Sequence, residues 1–256
     1  MTFLSHHTQL NDMFPIRDHN PSGKTPYVTW ALIALNILVF FSYAGMFENE
    51  RAIGQFFSDY ALTPAVSLPH TYVTSLFLHA GFMHIAGNML FLFIFGDNME
   101  DEMGHGPFLL FYLVCGIGAS AAHVISAPNS DIPLVGASGA IAGVMGGYLL
   151  MFPKARVDVL LILVIFFKVI PVPAWIMLAF WFGLQLFNGL GTAADAAGVA
   201  YWAHAGGFVL GLILTIPVWM RRGGPAFWQR TDGLPPHPEH RYRYVRSTVP
   251  EVRRKR

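Results

Sequence analysis

Charge is what this sequence has least of. Only 12% of its 256 residues are Asp, Glu, Lys or Arg, and 54% are hydrophobic, whereas a soluble domain carries about 25% charged residues. That deficit excludes an ordinary soluble globule. Cysteine is nearly missing too: with Cys115 alone, the chain makes no internal disulfide and no zinc site built on two or more cysteines. The first 26 residues contain no apolar run, carrying instead His6, His7, Asp12, Arg17, Asp18 and Lys24, so they do not read as a secretory signal. No H-E-x-x-H motif is present, and no Asp lies inside an apolar stretch. These two absences exclude an intramembrane zinc protease and an intramembrane aspartyl protease.

What the chain does have is apolar length. A bilayer-crossing helix needs about 20 predominantly apolar residues, and six stretches approach that without Asp, Glu, Lys or Arg: 28–46, 80–95, 107–127, 134–152, 171–190 and 201–220. The expectation is an all-α polytopic membrane protein of six helices. A seventh stretch, 157–170, is interrupted by Asp158 and Lys168 and is read as interfacial or re-entrant.

Lys and Arg set orientation, because cytoplasmic loops carry them in excess. Arg17 and Lys24 precede the first stretch, Lys154 and Arg156 follow the fourth, and Arg221 and Arg222 follow the sixth. All three place the termini in the cytoplasm. The loop after the second stretch runs against this with Asp97, Glu100, Asp101 and Glu102, although acids count for little in the rule. The expected organisation is therefore a cytoplasmic segment 1–26, a membrane domain 27–220, and a tail 221–256. That tail holds ten of the 16 Lys and Arg, together with five prolines. Such a composition reads as disordered and able to touch anionic lipid. The protein is expected to be multi-pass in the plasma (inner) membrane.

With this orientation, stretches two, four and six run from outside to inside, and their outer ends share one depth. There lie His84 and Asn88, Ser138, and His204, each within the first few turns of its helix. Any one of them alone reads as an interhelical hydrogen-bonding or small packing residue. Four polar residues at one level on alternate helices are harder to explain by packing, because an unpaired polar group in hydrocarbon costs several kcal/mol.

The local sequences sharpen the point. Ser138 sits in Gly136-Ala137-Ser138-Gly139 at the start of a helix, where backbone N–H groups favour a developing anion. His204 sits in Ala-His-Ala-Gly-Gly207, with Gly207 and Gly211 forming the G-x-x-x-G spacing of touching membrane helices. His84 and Asn88 are four apart and share one helix face. A Ser hydroxyl becomes a useful nucleophile when a neutral imidazole takes its proton.

In these residues the sequence resembles the rhomboid family of intramembrane serine proteases. The resemblance rests on His79-Ala-Gly-Phe-Met-His84-Ile-Ala-Gly-Asn88, on Gly136-Ala-Ser138-Gly139 and on Ala203-His204-Ala-Gly-Gly207 with Gly211, in that order across the six stretches. It implies Ser138 as nucleophile and His204 as base and acid, with His84, Asn88 and the Ser138 N–H as the oxyanion hole. It also implies His79 as a supporting residue and Glu100 as a structural acid. Membrane-anchored proteins in the lipid bilayer would be the substrates, cut in or beside their transmembrane segments near the external face, with no cofactor, metal or nucleic acid. Two departures stand out: the family's aromatic one turn after the nucleophile is Ala142 here, and its Trp-Arg pair is missing from 47–78. That loop supplies Phe56, Phe57, Tyr60 and Leu62 instead, read as packing at the interface.

Two further features complete the reading. Residues 189–200 are small and glycine-rich, either a mobile cap or a passive connector before His204; Asp195 within them is the acid nearest His204 in sequence. Zinc bound by His79, His84 and His204 is disfavoured by the spacing of the first two. The main alternative to a protease is a silent rhomboid-like protein that binds and escorts membrane helices; a solute transporter stands further off, for want of inverted repeats.

Overall fold

The computed structural model describes residues 13–19, 22–163, 166–192 and 199–236. Its helices in chain order are α1 (Tyr27–Tyr43), α2 (Glu50–Tyr60), α3 (Thr71–Thr74), α4 (Phe82–Met103), α5 (His105–Ser126), α6 (Ser138–Met151), α7 (Ala174–Gly191), α8 (Tyr201–Arg221) and α9 (Pro225–Thr231). Among the described residues, four helical stretches are long and apolar enough to cross a bilayer: α1 with its following 3₁₀ turn, α5, α7 and α8. α4 and the short helical segment Thr71–Phe77 pass the same test together and count as a fifth when taken as one span, the two being bent by 94°. The sixth, α6, has only 14 residues. The protein is a helical polytopic membrane bundle.

The short α6 lies at the centre. It begins at Ser138 and not at 134, because Pro133 and Gly136 precede it, Gly136 with a φ of +126° that no helix accepts. Its length is about 21 Å, against about 30 Å for the hydrocarbon core. The missing part is irregular chain, and its backbone groups find protein partners. Leu62 and Leu134 exchange both backbone hydrogen bonds, at 3.1 and 2.8 Å, and Gly136 N donates to Ser75 O at 2.9 Å. Around this pillar α6 and α8 pack backbone to backbone. A Cβ on Gly207 would lie 2.1 Å from Gly139 O, and one on Gly146 2.1 Å from Phe208 O. On its other side, a Cβ on Gly139 would meet Ala119 of α5 at 2.5 Å.

The acids expected in a loop after the second stretch belong instead to the last two turns of α4, which continues until Gly104 ends it with a φ of +83°. Their partners explain why they do not oppose the basic flanks. Lys24 pairs with Asp101 at 2.9 Å and Arg222 with Glu102 at 2.6 Å. Glu100 is buried and accepts from Val28 N, Thr29 N and Thr29 Oγ1 at 2.9, 2.7 and 2.7 Å. It thereby caps the start of α1, whose own N-cap residue, Pro26, offers no side-chain bond.

Two expectations are corrected at this end of the bundle, and a third gains a conformation. The stretch read as interfacial or re-entrant is extended chain: β2 (Arg156–Leu163) pairs antiparallel with β3 (Phe166–Pro173), in register from Arg156 opposite Pro173 to Leu163 opposite Phe166. Val157, Val159, Val169, Ile170 and Val172 favour extended chain. The 1–26 segment is not wholly separate, since β1 (Met13–Asp18) pairs antiparallel with β2. The prolines fall on the two edge strands, Pro15 on β1 and Pro171 and Pro173 on β3, as the missing N–H requires. The tail does not leave the fold at 221 either. Pro225 starts α9, Phe227 is buried, Trp228 Nε1 donates to Leu150 O at 3.0 Å, and Trp228 lies 4.8 Å from Trp219. Two aromatic anchors outweigh the proline-rich composition. The remainder of the tail, 237–256, and the loop residue Asp195 lie outside the described residues.

Candidate active site

Three helix starts converge at the end of the bundle opposite Glu100. Ser138 is the first residue of α6, His84 the third of α4 and His204 the fourth of α8. The imidazole Nε2 of His204 lies 2.8 Å from Ser138 Oγ. This contact spans 66 residues of sequence and is set by the α6–α8 glycine seam, which continues where a Cβ on Gly211 would lie 2.0 Å from Gly143 O. Both side chains are half-buried.

His84 approaches the serine from the other side. A Cβ on Gly136 would lie 2.9 Å from His84 Cε1 and Nε2 and 3.6 Å from Ser138 Oγ. Glycine at 136 therefore serves twice, for the positive φ and for the space the imidazole fills. Ala80 N donates to His84 Nδ1 at 3.3 Å, which puts the proton of a neutral His84 on Nε2, the nitrogen beside the Ser138 turn. Asn88 is buried, one turn on, and Asn88 Nδ2 donates to His84 O at 2.9 Å. One amide N–H of Asn88 remains for the cavity.

Behind His84 sits His79, fully buried, with ring centroids 5.1 Å apart and edge to face. Tyr43 holds the His79 backbone, its hydroxyl accepting from His79 N at 2.6 Å and donating to His79 O at 2.9 Å. Tyr43 in turn stacks on Phe56 of α2 at 4.8 Å. The aromatic residues of the 47–78 loop thus pack on Tyr43 at the end of α1 and on one another, and reach the site through the Tyr43–His79 contact. A cavity of about 760 Å³ is lined by Ser138, His204, His84 and Asn88, and also by His123 and Trp202. Glu100 is at the far end of α4, away from these residues, where it contacts Val28, Thr29 and His105.

Two residues near His204 escaped the sequence reading. Gln185 Oε1 lies 2.9 Å from His204 Nδ1, and the Trp181 ring is 5.7 Å from the imidazole at 35°. Both are on α7. The support that Ala142 does not offer comes from this neighbouring helix. The available signal was Gln185 itself, one of two amide side chains in the apolar stretch 171–190.

This arrangement can do acyl-transfer chemistry: a hydroxyl with a base at hydrogen-bond distance, a helix N-terminus under it, and a second imidazole beside it with its N–H on the near side. A serine–histidine pair inside a helical membrane bundle defines the class. The chain belongs to the rhomboid family, whose Rhomboid domain model matches residues 67–221. Among curated relatives, it is 28% identical over 192 residues to "Rhomboid protein 1, mitochondrial" of Saccharomyces cerevisiae, covering 73% of this chain and 51% of that protein. It is 37% identical over 130 residues to "Rhomboid protease GluP" of Bacillus subtilis, covering 50% of this chain and 25% of that one. It is 31% identical over 174 residues to "RHOMBOID-like protein 4" of Arabidopsis thaliana, covering 67% and 40%. The chain spans about half or less of the length of these relatives.

Proposed function

We propose that this protein is an intramembrane serine endopeptidase that hydrolyses peptide bonds in or beside the membrane segments of other proteins. The observation that carries the reading is the 2.8 Å contact between His204 Nε2 and Ser138 Oγ. Ser138 Oγ attacks the scissile carbonyl as His204 Nε2 takes its proton. The oxyanion is held by the Ser138 N–H, His84 Nε2–H and Asn88 Nδ2–H. His204 then returns the proton to the leaving amine, and a water activated by the same nitrogen hydrolyses the acyl-enzyme.

The excess of Lys and Arg at the Glu100 end supports a reading with both termini in the cytoplasm and the Ser138 end outside, in a plasma (inner) membrane. Substrates are single-span or other membrane proteins reached through the lipid. The reading is tested by incubating the purified protein in detergent with a fluorescent fluorophosphonate. Labelling that maps to Ser138 and vanishes in Ser138→Ala supports the enzyme. A protein that holds membrane helices but stays unlabelled is an escort.

A further inference from the structure

We propose that Gln185 is the positioning residue of the Ser138–His204 pair, its amide oxygen holding the His204 proton on Nδ1 so that Nε2 is free to act as base. This rests on the protease reading above. An imidazole accepts Ser138's proton at Nε2 only if its own proton is on the other nitrogen, and the partner of Nδ1 decides that.

The orientation of the Gln185 amide follows from its second contact. Gln185 Nε2 lies 3.3 Å from Trp181 O, a backbone carbonyl that only accepts. The amino group must face it, so the atom 2.9 Å from His204 Nδ1 is Oε1, as the geometry also gives it. An amide oxygen has no proton to donate, so the hydrogen in that contact belongs to Nδ1. The chain of donors then runs one way: Ser138 O–H to His204 Nε2, His204 Nδ1–H to Gln185 Oε1, Gln185 N–H to Trp181 O. Flipping the Gln185 amide would leave its oxygen facing the Trp181 carbonyl, two acceptors, so the amide fixes the Nδ1 proton and a neutral ring then has only Nε2 to accept from Ser138.

Packing holds the same geometry. Trp181 and Gln185 are four apart on α7 and share a face, so the indole flanks the imidazole while the amide grips its Nδ1. Trp181 is itself 6.1 Å from Phe208, one turn after His204, and Phe182 stacks on Phe208 at 4.7 Å. Gln185 is 8% exposed, and the other buried residues of α7 are Ala174, Leu178 and Gly189. Its amide is the polar group that α7 buries toward α8. A neutral amide also suits a site in hydrocarbon: it fixes the tautomer, and its dipole stabilises the imidazolium formed during attack, without bringing a permanent charge.

The test uses the full-length protein in detergent, with a fluorogenic single-span substrate and the fluorophosphonate. Gln185→Leu keeps the size but removes the acceptor. Its kcat and labelling rate should fall about 10- to 100-fold, a part of the 10²- to 10⁴-fold that a well-positioned general base supplies, with KM little changed. Gln185→Glu keeps an acceptor and adds a charge. It should recover most of the kcat and move the acidic limb of the pH profile upward by about one unit or more. Wild-type kcat in Gln185→Leu, or equal losses in both variants with an unmoved pH profile, would overturn the proposal. A parent protein with no labelling at Ser138 would overturn the protease reading instead.

Discussion

Gly211 of α8 faces Gly143 of α6 so closely that a Cβ on Gly211 would lie 2.0 Å from the Gly143 carbonyl oxygen. His204 is two turns earlier on the same face of α8, and Ser138 is five residues before Gly143 at the start of α6. The seam therefore acts as a ruler that sets the distance between the Ser138 and His204 side chains. Gly211→Ala must push the helices apart, at about 1 to 3 kcal/mol for overpacking. Its thermal unfolding midpoint in detergent should drop, and labelling of Ser138 should fall with it. Gly183→Ala is the control, since nothing lies within 4 Å of a Cβ there; it should keep both. Equal behaviour of the two variants would remove the seam from the argument.

The dyad should behave as a unit. Ser138→Ala should abolish cleavage while leaving the protein in the membrane, and His204→Ala should do nearly the same. The double variant should be no worse than Ser138→Ala, because residues acting in one step are not additive on removal. Single-turnover assays of the four proteins measure this directly. Losses that multiply would mean that the two side chains act in separate steps.

For the proposed oxyanion hole the geometry ranks the donors. The proton-bearing Nε2 of His84 is at the Gly136 turn, whereas one Asn88 N–H is already given to His84 O. Losing one oxyanion donor costs about 10²- to 10³-fold in turnover. His84→Ala should reach that range, and Asn88→Ala should lower kcat by less, with KM little changed in each. Steady-state kinetics on a single-span substrate give both constants; an effect confined to KM would make either residue a binding group.

The polar residues that the apolar stretches could not explain were the ones that led to the site. His84, Asn88, Ser138 and His204 stood out because hydrocarbon makes an unpartnered polar group expensive, and the structure brings three of them to one turn of chain. Gln185 carried the same signal, but a lone amide on a helix otherwise apolar reads as packing until its partner 19 residues away is known. The end of α4 was hidden for a different reason. Hydropathy marks where hydrocarbon stops, at 95, and the helix continues to Met103 because its acids find Lys24, Arg222 and the start of α1. The β-hairpin was hidden because a short apolar run has the same composition whether it coils or extends. Strand pairing distinguishes them, of β2 with β3 and of β2 with β1, the latter far off in sequence.

On the protease reading, the length of α6 should set where a substrate is cut. If its far end, Met151, lies at one face of the hydrocarbon, its 14 residues leave Ser138 about 9 Å short of the other face. A substrate helix rises 1.5 Å per residue, so scission should fall within about six residues of the outer end of its membrane segment. A regular helix keeps its carbonyls bonded, so the scissile stretch must first unwind. Gly or Pro nearby lowers that cost by about 1 or 3 kcal/mol relative to Ala. Purified protein should therefore cut a single-span substrate near its external boundary, and replacing the substrate's helix breakers by Leu should slow cleavage about fivefold or more, by the free energy restored to the helix. Mass spectrometry of the products locates the bond. Cleavage at the cytoplasmic end, or a rate indifferent to the helix breakers, would show that Ser138 is reached by another route.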